Sequence, residues 1–199
     1  MAREPARTPS AAHERYVRII SLPLACVSRS VWCTAQTIRG SNQDRSIQLT
    51  GSPNPVRLRR RDLPPIFLSA IQQYELVPDS RFARGEWKAS TRGYAYTLFD
   101  QSDRGQIKAL AWHWHPGSGT SDEPHMHVYR DGEIGGNALD RLHFPSERIA
   151  FEAIVQFLIT ELGVAPLRED WQVLITSALE RFVAFRTWPR SGGPLPDSN

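Results

Sequence analysis

Residues 94–116, YAYTLFDQSDRGQIKALAWHWHP, decide the fold. Tyr94 to Phe99 and Ile107 to His115 are two runs rich in aromatic and aliphatic side chains. Between them, Asp100-Gln-Ser-Asp-Arg-Gly105 is a polar turn ending in a glycine, the residue that tolerates positive φ, so the stretch predicts an antiparallel hairpin. Side chains alternate between the two faces of a strand, so Leu110, Trp112 and Trp114 share one face while His113 and His115 share the other. A third strand, Pro124 to Tyr129, follows the flexible loop 116–124 and repeats the pattern. Met126 and Val128 join the tryptophans, and His125 and His127 lie beside His113 and His115. In an antiparallel pair, opposite Cβ atoms stand ~5 Å apart, near enough for four imidazoles to share an ion or a proton network.

Outward from this core, Glu86-Trp-Lys-Ala-Ser90 reads as another strand, giving a meander of three or four strands over about 86–130. Val56 to Arg60 alternates apolar and basic residues as a half-exposed strand does. Pro64-Pro65, followed by Ile66, Phe67, Ala70, Ile71 and Tyr74, has the spacing of a short helix over 64–75, which Pro78 and Asp79 break. On the C-terminal side, Phe151, Ile154, Val155, Leu158 and Leu162 form a helical stripe, with Gly163 placed to cap it. A second helix follows Asp170 and carries Trp171, Leu174, Ile175, Ala178, Phe182 and Phe185. Strands followed by helices favour an α+β fold: an antiparallel sheet of three to five strands with two C-terminal helices packed on one face. The expected organisation is a single α+β domain over 56–188, a poorly patterned and partly disordered extension over 1–55, and a disordered tail over 189–199.

Composition narrows the class of protein. The 199 residues carry a net charge of +3, too little to argue for nucleic-acid binding by itself. The charge is uneven, however: residues 1–61 hold 11 arginines against 3 acids, and the rest of the chain is net acidic. Arg57, Arg59, Arg60 and Arg61 form the densest basic cluster, read as a solvated strand edge or a phosphate contact. Cys26 and Cys33 are the only cysteines and make neither a Cys-x-x-Cys pair nor a disulfide framework. Val17 to Val27 superficially resembles a short export signal, but Arg18 and Pro23 interrupt it. With no apolar stretch near the ~20 residues that span a bilayer, a cytoplasmic protein without membrane contact is expected.

The chemistry concentrates in the histidines, five of which fall between residues 113 and 143 out of six in the chain. Zinc accepts neutral imidazoles and commonly takes three protein ligands at catalytic sites, so His113, His115, His125 and His127 are candidate metal ligands, with Glu123 of suitable parity to join them. His143, in Leu-His-Phe-Pro145, can approach from outside the sheet. The same four histidines also suit metal-free acid–base cleavage of RNA, one accepting the 2′-hydroxyl proton and another protonating the leaving oxygen. Arg130 or Arg141 would steady the phosphate in that scheme. Tyr94 and Tyr96 share a strand face from which aromatic rings can stack on bases. A non-catalytic module that holds a metal or a partner, or a purely structural sheet face, uses the same residues differently. No phosphate-cradling glycine loop, Gly-x-Ser-x-Gly elbow or dinucleotide fingerprint is present.

The order His113-Trp-His-Pro116, then Pro124-His-Met-His127, then an amphipathic helix resembles an uncharacterised family of small bacterial proteins with a tryptophan-histidine strand and a Pro-His-x-His strand. It is also weakly similar to the TumE-like toxins of toxin–antitoxin pairs. The resemblance covers about residues 86–187; His125 and His127 match its second motif, whereas His113 and His115 replace the adjacent histidines of the first by His-x-His. What it implies is a toxin-like endoribonuclease or related phosphodiester-cleaving enzyme, with RNA as substrate and a cognate antitoxin as partner.

Overall fold

In the computed structural model, residues 6–29, 34–37, 44–48, 55–79, 85–102, 105–117, 122–129, 133–134, 137–138 and 141–185 are described. The expected hairpin is formed by β5 (Trp87–Ser102) and β6 (Gly105–Trp114), paired antiparallel from Tyr94↔Trp114 to Ser102↔Gly105. Gly105 has φ +108°, a conformation open to glycine and strained for any other residue. The two runs expected as separate strands at 86–90 and 94–99 are one strand that passes through Gly93. A Cβ at Gly93 would lie 2.8 Å from the Trp114 carbonyl oxygen, so the missing side chain lets the end of β6 close on β5.

Two irregularities reset the alternation. Along β5 the pairing with β4 (Ile66–Pro78) jumps from Gln73↔Gly93 to Tyr74↔Thr91, and Arg92 is the extra residue. Along β6 it jumps from Leu98↔Leu110 to Phe99↔Lys108, leaving Ala109 extra. Each bulge moves the residues beyond it to the face opposite the one that simple parity assigns.

The segment expected as a helix over 64–75 is instead β4, the longest partner of β5. Its helix-like spacing arises because Phe67 and Ile71 add apolar side chains to the face opposite the core. Ile66, Leu68, Ala70, Tyr74 and Leu76 enter the core, and Phe67 is buried on the other side. The sheet is larger than the expected three to five strands. A seven-strand path runs β1 (Thr34–Thr37), β2 (Asp44–Gln48), β4, β5, β6, β7 (His125–Val128) and β10 (Phe144–Pro145), and β3 (Val56–Leu58) is an eighth strand, also paired to β4. All these pairings are antiparallel, and a small separate ribbon is made by β8 (Glu133–Ile134) and β9 (Asn137–Ala138).

Both expected C-terminal helices are present as α2 (Phe151–Thr160) and α3 (Trp171–Phe185). Gly163, at φ +69°, turns the chain after α2 so that the Val164 amide reaches the Leu158 carbonyl at 2.9 Å, the closing bond of a glycine-terminated helix. A third helix, α1 (Pro9–Ala25), lies in the stretch expected to be poorly patterned. Thr8 caps it, its hydroxyl accepting from the Ala11 amide at 3.1 Å, and Pro9 opens the first turn. Residues 1–55, read from sequence as an extension, thus supply a helix and two strands to the principal sheet.

The core lies between the helices and the tyrosine–tryptophan face of the sheet. Tyr96 packs on Phe151 at 5.5 Å between ring centres, Trp112 meets Phe157 edge-on at 5.8 Å, and Leu24 of α1 is buried among them. Polar groups that enter this layer are satisfied: the Tyr16 hydroxyl donates to the Gln72 side-chain carbonyl, and the Gln72 amide donates to the Tyr96 hydroxyl. Among the described residues no helix is long and apolar enough to cross a membrane.

Candidate metal centre

The strand register turns the imidazoles to one side. His113 of β6 stands directly opposite His125 of β7, and His127 is opposite Ala111. Because Trp112, Trp114 and Met126 are drawn to the helix side by burial, these histidines must emerge on the other. Ring centres lie 5.8 Å apart for His113 and His125, 5.2 Å for His113 and His127, and 5.0 Å for His125 and His127. One ring nitrogen from each of the three falls within 4.8 Å of the others.

Two more imidazoles flank this group. His115, just beyond the end of β6, is 5.6 Å from His113 and 5.5 Å from His125. His143 comes from across the sheet edge: β10 pairs with β7 through Phe144↔Met126 and Pro145↔His125, which brings His143 to 4.6 Å from His127 and 4.9 Å from His125. His143 is exposed whereas His125 is only 3% exposed, so the cluster is deep on one side and open on the other.

Hydrogen bonding sorts the nitrogens. A carbonyl oxygen can only accept, so the 2.9 Å contact between His125 Nδ1 and the Glu123 carbonyl makes Nδ1 the protonated nitrogen and leaves the Nε2 lone pair free. Metal-bound histidines are commonly oriented by such a bond from the other ring nitrogen. The Nδ1 atoms of His115 and His127 are buried and have no hydrogen-bond partner among the described residues. An unsatisfied buried polar atom costs about 1–3 kcal/mol, so these two nitrogens mark places where a ligand would relieve a penalty.

His113 and His127 are held in the neutral form. Burial, reinforced by His127, His125, His115 and Lys108, pushes His113 down to about 4. His127 is lowered by burial first, then by His143, His125, Lys108 and His115. Neutral imidazole is the form that ligates a metal.

The other sequence-derived candidates are placed as follows. The Glu123 side chain is exposed and outside the three-histidine group; Glu123 meets the site through its carbonyl. Arg130 lies outside the described residues, and Arg141 is exposed two residues before His143. Tyr94 and Tyr96 are buried against the helix layer, which corrects their reading as a base-stacking platform. Arg57, Arg59 and Arg61 are exposed, and Arg60 donates to the Pro64 carbonyl at 2.6 Å. His143 is the member of the cluster that parity could not place, because its position depends on the β10–β7 pairing. Comparison with protein-family models, with curated proteins and with solved structures found no match.

Proposed function

We propose that the imidazole face is a divalent-metal centre, with His113, His125 and His127 as its ligands and zinc or a similar imidazole-binding ion as its occupant. The observation that carries this reading is the approach of three imidazole nitrogens to within 4.8 Å of one another, each from a strand position fixed by the ladder. Tetrahedral coordination at 2.0–2.1 Å needs nitrogens roughly 3.3 Å apart, a contraction that small χ rotations of the rings supply. Softer and harder ions fit less well, since the described group contains neither thiolate nor carboxylate. His143 is the nearest further donor on the open side.

A three-imidazole set of this kind supports hydrolytic chemistry, and phosphodiester cleavage of RNA belongs to that class. RNA as the substrate and an antitoxin as the partner rest on the resemblance of the two histidine motifs. The metal-free acid–base scheme would need its protonated imidazole elsewhere than at His113 or His127, both of which are held low.

The test is a zinc titration of chelator-treated full-length protein in competition with a chromophoric chelator. One equivalent is expected to bind. His127→Ala should abolish that binding while circular dichroism stays unchanged, and an unchanged affinity in the variant would refute the ligand assignment.

A further inference from the structure

Lys108 is one of only two lysines in an arginine-rich chain, and the bulge at Ala109 decides where it points. Counted back from His113 by simple alternation, residue 108 belongs with Trp112 and Trp114 on the helix side. The extra residue reverses this and pairs Lys108 with Phe99, so the ammonium emerges on the imidazole side, 5.3 Å above the ring of Tyr129. Tyr129 in turn stacks on His127, with 5.6 Å between ring centres. Lysine, aromatic ring and ligand thus form a continuous file leading into the three-histidine group.

Lys108 has no carboxylate partner among the described residues, and its positive charge is felt at both His113 and His127. Beside a dication bound by neutral imidazoles, such an ammonium is repelled unless an anion lies between them. Two neighbouring cationic centres call for a ligand with more than one negative charge, which inorganic phosphate, a phosphate monoester or two adjacent phosphodiesters of one strand carry at neutral pH and a carboxylate does not. The cation–π contact with Tyr129 holds the lysine at the rim without neutralising it.

We infer that Lys108, seated over Tyr129, is the anion anchor of the histidine centre, so that the site takes a phosphate-bearing ligand with one end at the histidines and its remaining charge at the ammonium. This inference rests on the metal-centre reading and adds to it the class of ligand.

Cobalt(II)-loaded full-length protein, whose visible spectrum reports changes in coordination, provides the test. Titration with inorganic phosphate should change the spectrum saturably, and acetate should need a much higher concentration. Lys108→Met, at an exposed position, should bind cobalt as the wild type does yet require about tenfold more phosphate, the loss expected for one charge-assisted hydrogen bond. Lys108→Arg should restore most of that affinity. If cobalt binds but phosphate leaves the spectrum unchanged, or if Lys108→Met responds at wild-type concentrations, the anchor assignment is overturned while the metal centre stands. If neither zinc nor cobalt binds the wild-type chain, both readings fall together.

Discussion

The two faces of the β5–β6–β7 sheet are made by alternate residues of the same strands and differ in how their polar atoms are satisfied. On the helix side, the hydroxyls and amides at the centre of the core find partners, and Ser146 Oγ, next to β10, is a buried hydroxyl that has none among the described residues. His13 meets the Tyr74 hydroxyl at 2.6 Å, Tyr16 and Tyr96 are joined through Gln72, and the Ile149 amide donates to the Tyr94 hydroxyl at 3.1 Å. On the imidazole side, five rings crowd together, and two buried nitrogens lack any partner among the described residues. The first face is closed by packing. If the second holds a metal ion, as proposed, substitutions on the first should cost folding while those on the second cost binding.

The largest effect expected in breaking this contrast is on zinc affinity. His125→Ala should reduce it by more than about 100-fold, since loss of a partner that merely orients a ligand already costs 10- to 100-fold. His127→Ala, which removes a ring whose Nδ1 has no hydrogen-bond partner among the described residues, should leave the chelator-treated protein near wild-type stability in urea. Phe151→Ala on the opposite face should do the reverse. Truncating this fully buried ring should cost about 3–5 kcal/mol of folding free energy, with zinc still bound under conditions where the variant is folded.

Gly93→Ala sharpens the comparison, as it acts on the joint between the two faces. The added methyl meets the Trp114 carbonyl, and a stability loss of about 1–3 kcal/mol is expected from thermal unfolding. A smaller effect concerns pH. His113 is held at about 4, below the ordinary histidine value, so it contributes stability that is present above pH ~6.5 and is lost as pH falls through about 4. Urea midpoints of the metal-free protein should therefore decline across that window, and His113→Gln should flatten the decline. Glu152, buried in the first turn of α2, has the opposite sign. Burial raises its carboxyl, so its contribution is present at acid pH and lost as pH rises through the raised value, and Glu152→Gln should be more stable than wild type at neutral pH.

The centre of the sheet was legible because its signals are local. Gly105 closes the hairpin, and the tryptophans and histidines of residues 112–115 and 125–127 separate by parity without reference to anything distant. The boundaries of α2 and α3 followed from their apolar stripes and from Gly163. What escaped depends on partners far along the chain. β4 carries Phe67 and Ile71 on the face away from the core, and its spacing satisfies a helical pattern until neighbouring strands are placed on each edge. α1 buries Ile20 and Leu24, yet Arg18 and Pro23 interrupt its run and hide the stripe. Nothing local marks Lys108, because the bulge that redirects it is a property of the β5–β6 ladder, and His143 joins the cluster only through two residues of β10.

X-ray absorption at the zinc edge of the loaded full-length protein addresses the ligand set most directly. The account predicts at least three nitrogen donors at 2.0–2.1 Å with the outer-shell scattering of imidazole, reduced by one ring in His125→Ala. A coordination shell of oxygen donors without imidazole scattering, or one unaltered by His125→Ala, would contradict it.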